Sequence, residues 1–141
     1  MIDQVALEKL AAGIACHMGP GSRLFLSGDL GAGKSVFARA VLRKLGVKGS
    51  IPSPSFIVDA VYSAAGLEIH HIDLYRLRGI PDELEFYGIY EVLESDAAVI
   101  VEWAERLDAA IQKNGVFVTI GFTDNPMMRE VEIDDRSLAG N

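Results

Sequence analysis

The stretch Gly28-Asp29-Leu30-Gly31-Ala32-Gly33-Lys34-Ser35 matches the phosphate-binding pattern G-x-x-x-x-G-K-[ST] at every position. It leaves few folds open, because such a loop works only between a buried strand and the start of a helix. The glycines let the backbone turn so that several N–H groups converge on one anion, and the helix that follows points its positive end at the same place. Asp29, Leu30, Gly31, Ala32 and Gly33 are then the backbone cradle, Lys34 reaches the β and γ phosphates, and the Ser35 hydroxyl holds a magnesium ion. The flanks agree. Arg23-Leu24-Phe25-Leu26-Ser27 reads as a short buried strand, and residues 36–45 carry Phe37, Val41 and Leu45 at helical spacing until Gly46. A glycine-rich turn without a ligand would leave Lys34 and Ser35 at the helix start without purpose.

Around this unit the chain reads in order. Asp3 caps a helix with the apolar stripe Leu7, Leu10, Ala11, Ile14, Ala15 and Met18, which Gly19-Pro20-Gly21 ends. This helix is expected to pack across the sheet or over a nucleotide's base. Ser50-Ile51-Pro52-Ser53-Pro54-Ser55-Phe56 is an extended loop, since two prolines in three residues forbid a helix. Residues 56–62 and 67–73 alternate around Ser63-Ala64-Ala65-Gly66 and predict a β-hairpin, whose strands must run antiparallel. Pro81 starts an acidic helical stretch broken at Gly88 and resumed through Leu93, and Ala97-Ala98-Val99-Ile100-Val101 reads as a central buried strand. A helix through Ile111 and a second hairpin, residues 116–122 and 129–133, close the chain. Together these elements predict an α/β fold, a P-loop NTPase-like three-layer sandwich with a mixed parallel and antiparallel central sheet, in one domain over residues 1–141.

Composition sets the class. Half of the 141 residues are hydrophobic, enough for one ordinary core. No apolar run approaches the roughly 20 residues of a membrane span, and Met1-Ile2-Asp3-Gln4 lacks the layout of a signal peptide, so a cytoplasmic protein is expected. Cys16 is the only cysteine; no internal disulfide can form, and its place on a helix suggests a small core residue. The net charge of −7 argues against direct wrapping of nucleic acid. Its distribution is uneven. Arg23, Lys34, Arg39, Arg43, Lys44 and Lys48 stand against Asp29 alone, a block that suits a polyphosphate. From residue 82 to 108 nine acidic residues stand against Arg106, which is either a solvated helix surface or a docking face for a basic partner.

Chemistry on a bound nucleotide needs acids beyond the carboxyl ends of strands, where α/β sheets hold their ligands. Asp73 and Glu102 end two of the expected strands. Either can bind magnesium directly or through water, or orient an attacking water; as structural residues they would instead serve a turn and a helix start. Any of Arg39, Arg43, Arg76 and Arg78 could touch phosphate, but exposed arginines on helices usually do little, and only Arg76 is a candidate for a catalytic role. His70 and His71 are neighbours on a strand and face opposite sides, which is wrong for joint metal binding. Trp103 is either core packing or a stacking surface near the site.

The phosphate loop, Ser53-Pro54-Ser55-Phe56, His71-Ile72-Asp73-Leu74-Tyr75-Arg76-Leu77, Glu83-Leu84-Glu85 with Gly88, and Glu102-Trp103 occur in the order found in the bacterial TsaE (YjeE) ATPases, which the chain closely resembles over residues 5–133. The resemblance implies a small magnesium-dependent ATPase of tRNA threonylcarbamoyladenosine (t6A) biosynthesis. It would act with the TsaD–TsaB pair, with ATP hydrolysis supporting repeated transfer of threonylcarbamoyl to a tRNA adenosine. It implies that Lys34 and Ser35 serve phosphate and magnesium, that Asp73 and Glu102 are the acids on the metal side, and that residues 53–56 form a switch-like loop near the γ-phosphate. The chain departs from the family pattern at Val36, where a second hydroxyl is usual, at Ser55 for threonine, at Ala104 for proline, and at Leu7 for a threonine of the first helix. Arg129 aligns loosely with a basic residue near the nucleotide.

Two readings of other classes compete. A small-molecule kinase shares the phosphate loop but needs an acceptor pocket and a lid, for which little chain is left. A non-catalytic nucleotide-binding adaptor needs the loop alone. A GTP switch needs a guanine-reading N-K-x-D, which the sequence lacks.

Overall fold

The computed structural model describes residues 1–52, 57–112 and 114–136; the loop 53–56 singled out above lies outside them. Helix α1 (Gln4–Ala15) starts at Asp3, whose carboxylate accepts the Ala6 N–H at 2.9 Å and so satisfies one of the helix's orphan donors. Strand β1 (Arg23–Ser27) leads into the phosphate loop, and helix α2 (Lys34–Leu45) leaves it and ends at Gly46 in the left-handed region, φ 108°. Strands β2 (Asp59–Ala64) and β3 (Leu67–Asp73) form the first hairpin. Its two-residue turn, Ala65 at φ 53° and Gly66 at φ 78°, has the double positive φ that matches the twist of paired strands. Helices α3 (Pro81–Phe86) and α4 (Ile89–Glu94) are separated at Gly88, and strand β4 (Ala98–Glu102) follows. Strands β5 (Val116–Phe122) and β6 (Arg129–Asp135) make the second hairpin.

The six strands lie in the order β2-β3-β4-β1-β5-β6. The four inner strands are parallel and each edge strand pairs antiparallel with its hairpin neighbour, which is the mixed sheet expected from the hairpins. Both faces are covered. Leu24 and Leu26 of β1, Ile69 of β3 and Ile100 of β4 pack with α1 and α2 through Leu7, Ala11, Phe37 and Val41. Phe25, Ile72, Val99 and Val101, from the alternate positions, pack on the other face with Leu84 of α3 and Ile89 of α4. Parallel strands covered on both sides read as continuous apolar runs, which is why β1 and β4 were legible in sequence. The same alternation carries His71, Asp73 and Glu102 onto the α2 face, in step with Ile69 and Ile100.

Three expectations are corrected. The helix through Ile111 is not continuous: Trp103 takes a left-handed conformation (φ 60°), a 3-10 turn spans Ala104–Arg106, Leu107 is extended, and only Ala109–Gln112 is α-helical (α5). Cys16 caps the C-terminus of α1 and is exposed, because it lies off the side that Leu7, Ala11, Ala15 and then Met18 turn to the core. The basic block does not act as one: Arg23 sits at the far end of β1 and donates to the carbonyls of Ser22, Leu93, Ser95 and Ala97 at 2.5–3.1 Å, tying β1 to the end of α4 and the start of β4. Burial lowers its pKa from the ordinary value, with Asp96 opposing. Among the described residues no helix is long and apolar enough to cross a membrane.

Two consequences can be measured. Replacing Arg23 by Met takes the guanidinium from the carbonyls of Leu93, Ser95 and Ala97, while that of Ser22 keeps the Val99 N–H; the loss should cost about 2–3 kcal/mol, read as a lower urea midpoint at unchanged m-value. In the first hairpin His70 lies between Asp59 (Nδ1, 2.8 Å) and Glu68 (Nε2, 3.1 Å). Partial burial opposes its charge, but hydrogen bonds to the two carboxylates outweigh that, and its pKa is raised. A raised pKa stabilises the fold in full below the unfolded-state value of about 6.5, and the contribution fades as pH rises through the folded-state value. His70→Gln should therefore lower Tm at pH 5.5 and change it little at pH 8.5; an equal loss at both would refute the ion-pair origin.

Candidate functional site

The loop between β1 and α2 is shaped by close approach. Gly28 has φ 149°, and a Cβ there would overlap the carbonyl oxygen of Ile120 on β5; only glycine lets the loop leave the sheet this close to its neighbour. Gly33, at φ 123°, would carry a Cβ 3.2 Å from Leu7 Cδ2 of α1. From behind, Arg129 of β6 donates through Nε to the Ala32 carbonyl at 2.9 Å and lays its guanidinium 4.8 Å from the Phe122 ring centroid. Arg129 therefore braces the loop.

Lys34 is buried at the start of α2. Its ammonium donates to the carbonyls of Gly28 and of Asp29 (3.0 Å) and lies 4.0 Å from the Trp103 ring centroid. Burial lowers its pKa, and Glu105, Glu102, Asp73 and Asp29 oppose that in turn. Beside it, Ser35 Oγ–H donates to Glu102 Oε1 at 2.9 Å, and the other oxygen of Glu102 is 2.5 Å from His71 Nε2. Asp73 stands directly across from Glu102 in the β3–β4 register, and its Oδ1 accepts the Tyr75 N–H at 2.9 Å. Asp73 is thus both a turn residue and a neighbour of the loop. The Asp73 N–H goes to the carbonyl of Val58, a β-branched residue at φ 64°.

Leu30, Gly31, Gly33, Lys34, Ser35, Asp73, Arg76, Glu102 and Trp103 line one cleft of about 400 Å³. Of the expected site residues, Asp29 and Ala32 are not on its wall: Asp29 turns its carbonyl to Lys34, and Ala32 is buried against Arg129. Across Gly31, Gly33 and Val36 a second cleft, about 520 Å³, is bounded by Asp3, Val5 and Leu7 of the first helix and residues 126–129. Trp103 is part of the site wall, and it is positioned by Tyr75 (centroids 5.3 Å apart) and by the Arg106 guanidinium at 4.8 Å. Arg106 is not a free charge in an acidic surface. It donates to the carbonyls of Leu74, Tyr75 and Leu77, holding the turn after Asp73. Glu102 likewise leaves the acidic face, being 2% exposed.

The donor set suits a hard cation next to phosphate. A hydroxyl and two carboxylates, those of Ser35, Asp73 and Glu102, line one cleft at the foot of an anion-binding loop. That is the habit of magnesium, which keeps several waters and takes its other ligands from one or two carboxylates and the substrate's phosphates. Sequence reasoning missed His71, which it set aside as one of two histidines facing apart; they do face apart, and the inner one reaches Glu102.

Comparison with known proteins shows the family. The chain is 36% identical over 110 residues to the tRNA threonylcarbamoyladenosine biosynthesis protein TsaE of Haemophilus influenzae, covering 78% of this chain and 68% of that one. It is 37% identical over 101 residues to the protein of the same name from Streptomyces coelicolor, covering 70% and 68%. The crystal structure of Bacillus subtilis YdiB superposes with a TM-score of 0.69 at 25% identity, over 93% of this chain and 79% of that one. A profile of threonylcarbamoyl adenosine biosynthesis protein TsaE matches residues 1–131, and the chain belongs to the TsaE family.

Proposed function

We propose that this chain is the magnesium-dependent ATPase subunit of the cytoplasmic t6A machinery, hydrolysing ATP to ADP and phosphate and acting with the TsaD–TsaB heterodimer to sustain threonylcarbamoyl transfer to tRNA adenosine. The observation that carries the reading is the hydrogen bond from Ser35 to Glu102 at the foot of the phosphate loop, with Asp73 alongside. A hydroxyl at the first turn of α2 and a carboxylate at the end of a neighbouring parallel strand are what a nucleotide-bound cation requires on its protein side. A magnesium ion held by Ser35 with the carboxylates of Asp73 and Glu102 would draw off the charge that develops in phosphoryl transfer.

The residues divide the work. The backbone of residues 29–33 and the N-terminus of α2 receive the phosphates. Lys34 leaves its carbonyl partners for the β and γ phosphates, a trade of neutral acceptors for anionic ones. Glu102 and Asp73 hold the cation or the water around it, and Glu102 is the acid next to the attacking water. The second cleft, against the first helix, takes the base, with Leu7 packing on it in place of a hydroxyl. Arg76, at the rim, can reach phosphate. No second arginine of the described residues lines the cleft, which favours a slow enzyme completed by its partners. The tRNA is met through the complex, in keeping with the negative charge of the chain.

Steady-state phosphate release by the chain alone and with purified TsaD–TsaB tests this reading. Stimulation by the pair is expected; its absence, with magnesium–ATP binding intact, would favour a kinase or an adaptor. Lys34→Ala should weaken ATP binding at least about tenfold, measured by calorimetry. Glu102→Gln should keep ADP affinity within about threefold while kcat falls about 100-fold; normal turnover would remove Glu102 from the chemistry.

A further inference from the structure

The ring of His71 is 1% exposed and sits on β3, two residues before Asp73. The register pairs His71 with Ile100, so Glu102 lies two residues further along β4 on the same face. A carboxylate oxygen only accepts, so at 2.5 Å it is the ring N–H at Nε2 that donates to Glu102 Oε2. The other nitrogen, Nδ1, is buried and has no hydrogen-bond partner among the described residues. Glu102 is thus where this ring spends its polar capacity. Its second oxygen, Oε1, accepts the Ser35 hydroxyl.

We propose that His71 is a positioning residue: through its bond to Glu102 it fixes the carboxylate, and through the carboxylate it aims the Ser35 hydroxyl for the cation. The proposal rests on the roles given above to Ser35 and Glu102. A glutamate has three torsions, the last of them soft; one bond to Ser35 leaves the carboxylate plane free to turn, and a second bond on the opposite oxygen removes that freedom. The ring is itself held by a buried strand of the sheet, so the restraint is set before any ligand arrives. A hydroxyl whose proton is committed to Glu102 has its lone pairs left for a metal. The bland alternative is that His71 only satisfies a buried carboxylate, in which case its loss lowers stability and leaves the chemistry of the folded protein alone.

The test compares His71→Leu, which removes the donor at similar volume, with His71→Gln, whose amide N–H has similar reach, in the full chain with TsaD–TsaB. For His71→Leu, kcat should fall about 10- to 100-fold while KM for ATP stays within about twofold. In calorimetry on the chain alone, metal-free ADP affinity should be unchanged while the gain on adding magnesium shrinks. His71→Gln should restore most of both. Turnover of His71→Leu within about twofold of the parent, measured well below its Tm, or an undiminished magnesium gain, would overturn the proposal. If the Leu variant does not fold, His71→Asn, whose amide is too short to reach Oε2, takes its place. Lower turnover than His71→Gln is then expected, and equal turnover overturns the idea. Glu102→Gln in the same assay separates the levels: activity retained there removes the reading beneath the proposal, and activity lost there with His71→Leu fully active overturns the proposal alone.

Discussion

A carboxylate as deeply buried as Glu102 has to be met by donors, because an unpaired charge in the interior is too costly to keep. The two that meet it come from different layers of the fold: Ser35 from the first turn of α2 and His71 from the neighbouring strand. Helix, loop and sheet are thereby fastened at one point. The loop cannot slide along the sheet edge without stranding the carboxylate, and β3 cannot shift against β4 without turning His71 and Asp73 to the opposite face.

Around this point the backbone is forced where it would not go by itself. Val58 and Trp103 both adopt positive φ, which costs a residue with a Cβ of order 1–3 kcal/mol. Both adjoin the acids. The Val58 carbonyl receives the Asp73 N–H, and Trp103 directly follows Glu102 and presents its ring to Lys34. Arg106 pins the turn after Asp73 through three carbonyls and stacks on the same tryptophan. Strain beside Asp73 and Glu102 is thus balanced by the carbonyl bonds of Arg106.

Much of this was legible in the sequence, and what was not shares a cause. The phosphate loop, the two hairpins, the mixed sheet and the acids at the strand ends follow from glycine spacing, alternation and strand-end position, all of which are local signals. The side-chain hydrogen bonds of His71 to Glu102, of Arg106 to Leu74 and of Arg129 to Ala32 span 31, 32 and 97 residues, and depend on which strands become neighbours and in what register. Local pattern cannot supply that. The expected helix through Ile111 failed because apolar spacing says nothing of the left-handed turn at Trp103. Apolar character alone places Cys16 in the core, but the buried side of the helix runs through Leu7, Ala11 and Ala15 and Cys16 is exposed. Charge alone groups Arg23 with the residues that suit a polyphosphate, although its carbonyl partners lie at the opposite end of the strand.

The brace from Arg129 to the Ala32 carbonyl also sets an order of events. The loop is encoded in the first quarter of the chain, yet one of its carbonyls is held by a side chain 97 residues downstream, on an edge strand that depends on β5 for its pairing. During synthesis on a ribosome the strand, the glycines and the helix emerge early, but that brace cannot close before residue 129 has appeared and its hairpin has docked. The loop is begun by the amino-terminal part of the chain and completed by the carboxy-terminal part.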